Sequence, residues 1–100
     1  MTLRVVVTEL AETELHITAR WYDGRCPGLG NAFLAKCELT VEQVRRFSES
    51  FEKIDYQYRR AVLGRFPYFV VYRVANDALR ILRVMPERGD PKKIEDFLTT

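Results

Sequence analysis

Hydrophobic positions in the first third of the chain follow strand spacing briefly and then helical spacing. Residues 3–8 (LRVVVT) are short and β-branched, which predicts a first strand. Apolar residues from Ala11 to Tyr22 recur every three or four positions, as on one face of an amphipathic helix. Thr8 precedes that stripe and is a suitable N-cap. The sequence therefore predicts a strand followed directly by a helix.

A second helix is predicted after a segment rich in helix breakers. Asp23 and Gly24, followed by CPGLG at residues 26–30, interrupt the first helix because proline and glycine disfavour helical pairing. Asn31 is the predicted cap of the second helix, whose apolar face runs from Phe33 to Phe51 with charged residues largely elsewhere.

From Arg59 onward the apolar period changes to two. Short strands are predicted at residues 61–63, 66–74 and 78–85, with Asn76 and Asp77 as a two-residue hairpin loop. Residues 93–98 are predicted to form a short C-terminal helix. The order β-α-α-β-β-β-α predicts one α+β domain over residues 1–100, a helical hairpin packed on one face of a small antiparallel β-sheet.

The hairpin loop predicts which side chains share a sheet face. Arg73 would pair with Arg80 across the strands, and two like charges placed opposite one another repel unless an acid lies between them. Their neighbours on that face are apolar. The face forms a candidate binding groove made of Phe69, Val71, Arg73, Arg80, Leu82 and Val84. Either a partner protein occupies this groove, or the chain's own C-terminal segment covers it through Asp90, Glu95 or Asp96.

Charge is distributed unevenly, although the net charge is only +2 and 47% of residues are hydrophobic. Residues 56–93 carry nine Lys/Arg against three Asp/Glu, a balance of +6. This concentration favours an acidic or phosphate-bearing partner, or else a solvated arginine face that maintains solubility.

Several classes of protein are excluded or disfavoured. No apolar run approaches the ~20 residues that span a bilayer, and the N-terminus is a poor signal peptide, so no membrane partner is expected. Cys26 and Cys37 have no CxxC or metal spacing, which indicates reduced thiols in a cytoplasmic protein. No motif for a metal or a cofactor is present, so none is expected.

The ordered set of motifs resembles the RelE/ParE superfamily of toxins from type II toxin–antitoxin modules, and is closer to the ParE side. The resemblance covers nearly the whole chain. It is carried by the following segments in order: Trp21-Tyr22, PGLG at 27–30, Arg59-Arg60, RFPY at 65–68, YRV at 72–74 and ERGDP at 87–91.

The resemblance implies that the groove binds the C-terminal segment of a cognate antitoxin protein in a hetero-oligomer. It also implies a bacterial toxin whose target is DNA gyrase, with arrest of growth and stabilisation of plasmids as the biological outcome. The alternatives are a ribosome-dependent mRNA interferase of the RelE type, with the ribosome and mRNA as partners, and a non-toxic relative that only binds antitoxin.

The nuclease alternative is weakened at particular positions. Phe69 stands where RelE-like nucleases carry an arginine, and the single histidine, His16, falls within the first helix. If the chain is a nuclease, the fallback catalytic residues are Arg60, Arg65, Arg88 and Lys93. The candidates for contact with the target or with phosphate are Arg60, Arg65, Arg88 and Lys92.

Overall fold

A hairpin of two helices packs on one face of a five-stranded sheet in the computed structural model, which describes residues 3–87. The elements are β1 (Arg4–Val7), α1 (Glu9–Arg25), α2 (Leu29–Arg46), a 3₁₀ turn (Ser48–Ser50), β2 (Glu52–Lys53), β3 (Arg59–Val62), β4 (Tyr68–Ala75) and β5 (Ala78–Pro86). The predicted α+β class and its element order are confirmed. The C-terminal helix predicted at 93–98 lies outside the described residues.

The sheet differs from the prediction in two respects. Its strand order is β1-β5-β4-β3-β2, and β1 runs parallel to β5, so the sheet is mixed rather than antiparallel throughout. The two-residue strand β2 is an additional member at the far edge, paired with β3. The β1–β5 pairing joins the two ends of the fold and β2 is only two residues long, so local periodicity reports neither.

The start of α1 follows the sequence prediction, whereas the bounds of α2 do not. Thr8 is the N-cap of α1, and its hydroxyl accepts a hydrogen bond from the backbone N–H of Ala11 at 3.2 Å. The N-cap of α2 is Gly28, with a φ of 90°, and not the predicted Asn31. The carboxylate of Asp23 accepts hydrogen bonds from the backbone N–H groups of Gly28 and Gly30, so α1 caps α2 and allows it to begin early. Helix α2 also ends earlier than predicted, at Arg46 and not near Phe51.

The main core lies between the helices and the sheet. Tyr22 of α1 and Phe33 of α2 pack against Phe66 and Tyr68, with ring centroids 5.0 to 6.1 Å apart. The apolar stripes that predicted the two helices thus meet the start of β4, and this packing fixes which face of the sheet the helices cover.

The β4–β5 hairpin has the predicted loop. Asn76 and Asp77 adopt positive φ values of 52° and 61°, as a tight two-residue loop requires. Arg73 lies opposite Arg80, as the predicted register has it.

The predicted register holds from the loop to Tyr72 and is wrong from Val71 to the far end of the hairpin, because a β-bulge intervenes between Val71 and Tyr72. Phe69 pairs with Met85, and Val84, which was predicted on the groove face, joins the main core on the helix side. An extra residue in one strand reverses the faces of all residues after it. Val84 is therefore not part of the predicted groove, and Met85 takes its place.

Candidate functional site

The sheet face away from the helices carries several arginines, and we call it the basic face. Strand alternation places Arg4 of β1, Arg60 of β3, Arg73 of β4 and Arg80 of β5 on this side. They come from four different strands, so only the assembled sheet brings their charges together.

Arg73 and Arg80 form the centre of the basic face. They are direct cross-strand partners, Arg80 is exposed and Arg73 is half-buried. Within residues 3–87 neither guanidinium has a hydrogen-bond or ion-pair partner. Like charges directly opposite one another destabilise a strand pair, so this arrangement favours an anionic group supplied from elsewhere.

The apolar residues expected on the floor of the groove are not accessible. Phe69 and Val71 are each 0% exposed and form a second buried cluster with Met85. The half-buried residues that pack against this cluster are Ile54, Tyr58 and Leu82. The predicted open apolar strip is thus a small second core, with Leu82 on the expected side of the sheet.

Two residues of this second core were missed by the sequence interpretation. Ile54 and Tyr58 lie on either side of the β2–β3 turn, and the backbone N–H of Ile54 donates to the carbonyl of Tyr58 at 2.8 Å. The turn is tightened by Asp55, whose carboxylate accepts from the backbone N–H of Gln57 at 2.8 Å. Residues 54–58 (IDYQY) contain a turn-forming aspartate and two tyrosines, but this composition does not show where the segment packs. Only the β2–β3 pairing, which the sequence analysis did not predict, shows that it folds over the basic face.

Two other candidate cations, Arg60 and Arg65, lie within the described residues. The Nε of Arg60 lies 2.9 Å from the carboxylate of Glu52, and its guanidinium carbon lies 5.3 Å from the centre of the Phe69 ring. Arg65 is exposed on the β3–β4 connection, 5.4 Å from the Phe66 ring. The remaining candidates, Arg88, Lys92 and Lys93, lie outside the described residues.

A buried ion pair ties the bulge to the helical layer. The carboxylate of Glu14 in α1 accepts from Nη2 of Arg83 at 2.6 Å and from the backbone N–H of Val84 at 3.0 Å. Both side chains of the pair are less than one-fifth exposed. Arg83 therefore points away from the basic face, and this contact holds α1 at the point where the strand register changes.

A groove lies on the opposite side of the molecule from the basic face. This groove, of about 730 Å³, lies between the two helices and β1, with valines of β1 in its wall. Its rim includes Glu12, Glu38 and Glu42. His16 also lines it, exposed and 3.7 Å from Glu12, so the only histidine is remote from the arginines.

Two ionisable groups of the main core have a raised pKa. Burial raises the pKa of the Tyr72 phenol to about 12, and its hydroxyl donates to the carbonyl of Ser48 at 2.6 Å. Burial likewise raises the pKa of the Cys37 thiol to about 12, while the other free cysteine, Cys26, is exposed. Both shifts result from packing beneath the helices, not from a charged neighbour on the basic face.

In the part of the chain that the structure describes, no group of three or more His, Cys, Asp or Glu side chains could hold a metal ion. No helix among these residues is long and apolar enough to cross a membrane.

Two helices packed on one face of a small mixed sheet agree with the α+β architecture of the RelE/ParE-like toxins. A solved structure described as the chromosomal ParDE TA system from P. aeruginosa shares the fold, with a TM-score of 0.64 and 20% sequence identity. The match covers 85% of this chain and 96% of that one. The family model described as ParE toxin of type II toxin-antitoxin system, parDE, matches residues 5–91, and the chain belongs to that family. No curated protein matches the sequence.

Proposed function

We propose that this chain is the toxin of a type II toxin–antitoxin module, that it acts in the cytoplasm by inhibiting DNA gyrase, and that a cognate antitoxin neutralises it. Membership of the ParE toxin family supports the toxin assignment. The similar fold in a structure titled as a ParDE system supports an antitoxin partner. The observation that carries the antitoxin site is the Arg73–Arg80 pair on the basic face.

An antitoxin segment would supply the acid that this pair requires. An aspartate or glutamate between two guanidinium groups replaces a repulsion by charge-assisted hydrogen bonds, which are stronger than neutral ones. Arginine is well suited to this role because its planar donors match a carboxylate. An acidic C-terminal segment of the antitoxin, lying across β4 and β5, is therefore the ligand that the basic face fits best.

The second core limits how the segment docks. Phe69 and Val71 are fully buried, so a segment bound to Arg73 and Arg80 contacts the rim of that core first. Contact with Phe69 itself would require the packed side chains of Ile54 and Tyr58 to move. We therefore assign the antitoxin's acidic residues to the arginines, and its apolar residues to the half-buried Leu82.

The surroundings of Phe69 and Arg60 favour inhibition by binding over RNA cleavage. Phe69 is apolar and buried where the related nucleases carry an arginine, so it cannot contact a phosphoryl oxygen. Arg60, the fallback cation that lies on the basic face, is already engaged by Glu52. A gyrase–DNA complex presents phosphates that the free arginines of the basic face could bind without any chemistry of their own.

The target is tested by two assays on the purified full chain. Gyrase supercoiling of relaxed plasmid should slow in proportion to the toxin added, and a peptide of the antitoxin C-terminus should restore it. Ribosomes translating a defined message should leave that message intact in a toeprinting assay. Cleaved message with unaffected gyrase would establish the mRNA interferase instead, and folded protein that neither inhibits gyrase nor arrests growth would establish a non-toxic relative.

The antitoxin site is tested by charge reversal. Arg73→Glu and Arg80→Glu should each weaken antitoxin binding by about 2–5 kcal/mol, because each places an acid where the partner's acid lies. Arg20→Glu is the matched control, since Arg20 is exposed on α1 in the helical layer, and it should bind antitoxin like the unmodified chain. Calorimetric affinities unchanged in both basic-face variants would place the antitoxin elsewhere.

A further inference from the structure

β1 is an edge strand whose outer backbone groups are unpaired within the described residues. It pairs only with β5, and the backbone N–H groups of Arg4 and Thr8 donate to the carbonyls of Asp77 and Ile81. In a parallel pair, successive residues direct their N–H and C=O groups to opposite sides. The amides and carbonyls of Val5 and Val7 therefore point away from the sheet and are free to pair with another strand.

We propose that a second copy of this chain pairs with this edge, with the two β1 strands antiparallel about a two-fold axis at Val6. In this register Val5 of one copy faces Val7 of the other, and each such pair exchanges both of its backbone hydrogen bonds. Four hydrogen bonds form, and the two five-stranded sheets become one sheet of ten strands. The inference does not depend on the gyrase target or on the antitoxin site.

Side-chain faces select the same register. Val5 and Val7 point to the helix side, where each is 38% exposed beside the apolar groove. Pairing Val5 with Val7 keeps these four valines, two from each strand, on that side and removes them from water. A shift by one residue would direct valines of one copy toward the opposite face of the other, so the register is determined by burial as well as by hydrogen bonding.

Charge makes the edge complementary to itself. β1 begins at Arg4, which is exposed, and is followed by Glu9 and Glu12 in the first turn of α1. Antiparallel pairing places the basic end of each strand beside the acidic end of the other, whereas parallel pairing would bring like charges together. A two-fold contact uses one surface twice, so such self-complementarity specifies a second copy rather than an unrelated strand.

The pairing would extend the basic face. The faces of the two copies lie on the same side of the ten-stranded sheet, with Arg4, Arg73 and Arg80 contributed by each. The two Arg80 residues are three strand spacings apart, about 14 Å. That distance exceeds the Debye length of about 8 Å at physiological salt, so their repulsion is largely screened. The result is a symmetric cationic platform twice as wide as that of one copy.

Sedimentation equilibrium of the purified full chain tests the proposal. We expect a reversible dimer whose dissociation constant lies between about 1 and 100 µM, as for an interface of modest affinity. Val5→Pro removes an outward N–H and leaves the bonds to β5 intact, so it should raise the dimer dissociation constant at least about tenfold. Val5→Ile keeps the N–H and an apolar, β-branched side chain, and should dimerise like the unmodified chain.

Exchanging the charges of Arg4 and Glu9 tests the contact between copies a second time, without depending on whether Val5→Pro folds. Arg4→Glu should weaken the dimer, and adding Glu9→Arg in the same chain should restore it. Within one copy Arg4 begins β1 and Glu9 begins α1, and the extended residues between them hold the two about 16 Å apart, so restoration reports a contact between copies. Circular dichroism checks that each variant is folded, and if Val5→Pro is not, the charge exchange decides.

Three results would overturn the proposal. The unmodified chain could remain monomeric over the whole range, or folded Val5→Pro could dimerise unchanged. Alternatively, the β1 amides could become protected from hydrogen exchange only when antitoxin is added. That last outcome would assign the edge to an antitoxin strand.

Discussion

Replacing Phe69 by alanine distinguishes a buried core residue from an exposed binding residue. Phe69 is 0% exposed, and a buried Phe→Ala change costs about 3–5 kcal/mol through lost transfer energy and the cavity left behind. The guanidinium of Arg60, 5.3 Å from the ring, adds about 0.5–1 kcal/mol that is also lost. We expect a loss of about 4 kcal/mol in the free energy of unfolding.

Urea unfolding followed by far-UV circular dichroism measures this loss. For a domain of about 100 residues, 1 kcal/mol shifts the melting temperature by about 4–8 °C, so a fall of about 15–30 °C accompanies the change. Phe47→Ala is the control, because Phe47 is 58% exposed, and it should alter stability by about 0.5 kcal/mol or less. Phe69→Leu conserves most of the volume and should cost no more than about 1.5 kcal/mol, which keeps the test valid if the alanine variant does not fold.

The opposite pattern would refute the reasoning. Suppose that the free energy of unfolding of Phe69→Ala lies within about 1 kcal/mol of that of the unmodified chain, yet the variant no longer binds antitoxin. Phe69 is then an exposed residue that anchors the antitoxin in the groove. The second core with Ile54 and Tyr58 would then not exist in solution.

Two further predictions concern the packing of the two helices on each other and the main core beneath them. Gly30→Ala would place a Cβ 2.3 Å from the carbonyl oxygen of Ala19, so the helices must separate. Thermal melts should show a loss of about 1–3 kcal/mol or more in the free energy of unfolding. Gly24→Ala is the control: no atom lies within 4 Å of its new Cβ, so it should be neutral or stabilising. Tyr72→Phe should cost about 1 kcal/mol at neutral pH through the lost hydrogen bond to Ser48. Because the folded pKa of Tyr72 is raised to about 12 from 10.0, its stabilising contribution is complete below pH 10 and is lost as pH rises toward 12. Urea midpoints measured from pH 8 to 12 should fall less steeply in Tyr72→Phe, and parallel curves for the two proteins would contradict the assignment.

Local rules were sufficient for the elements with strong local signals. Thr8 caps α1 because its hydroxyl meets an amide three residues away, and Asn76-Asp77 forms the hairpin loop because both residues tolerate positive φ. The same loop fixes the pairing of Arg73 with Arg80, since register near a tight turn follows from the turn itself. These interactions span few residues, so the sequence carries their determinants side by side.

The features that only the tertiary structure decided depend on contacts distant in sequence. The bulge at Val71 exchanges the faces of Val84 and Met85, and it is held by Glu14, some 70 residues earlier in the chain. The parallel pairing of β1 with β5 joins the two ends of the fold. Burial of Phe69 beneath Ile54 and Tyr58 depends on a two-residue strand too short to produce a period. The spacing of apolar residues shows which face of a helix or strand is apolar. Which neighbouring segment covers that face depends on tertiary contacts, because distant segments compete to bury it.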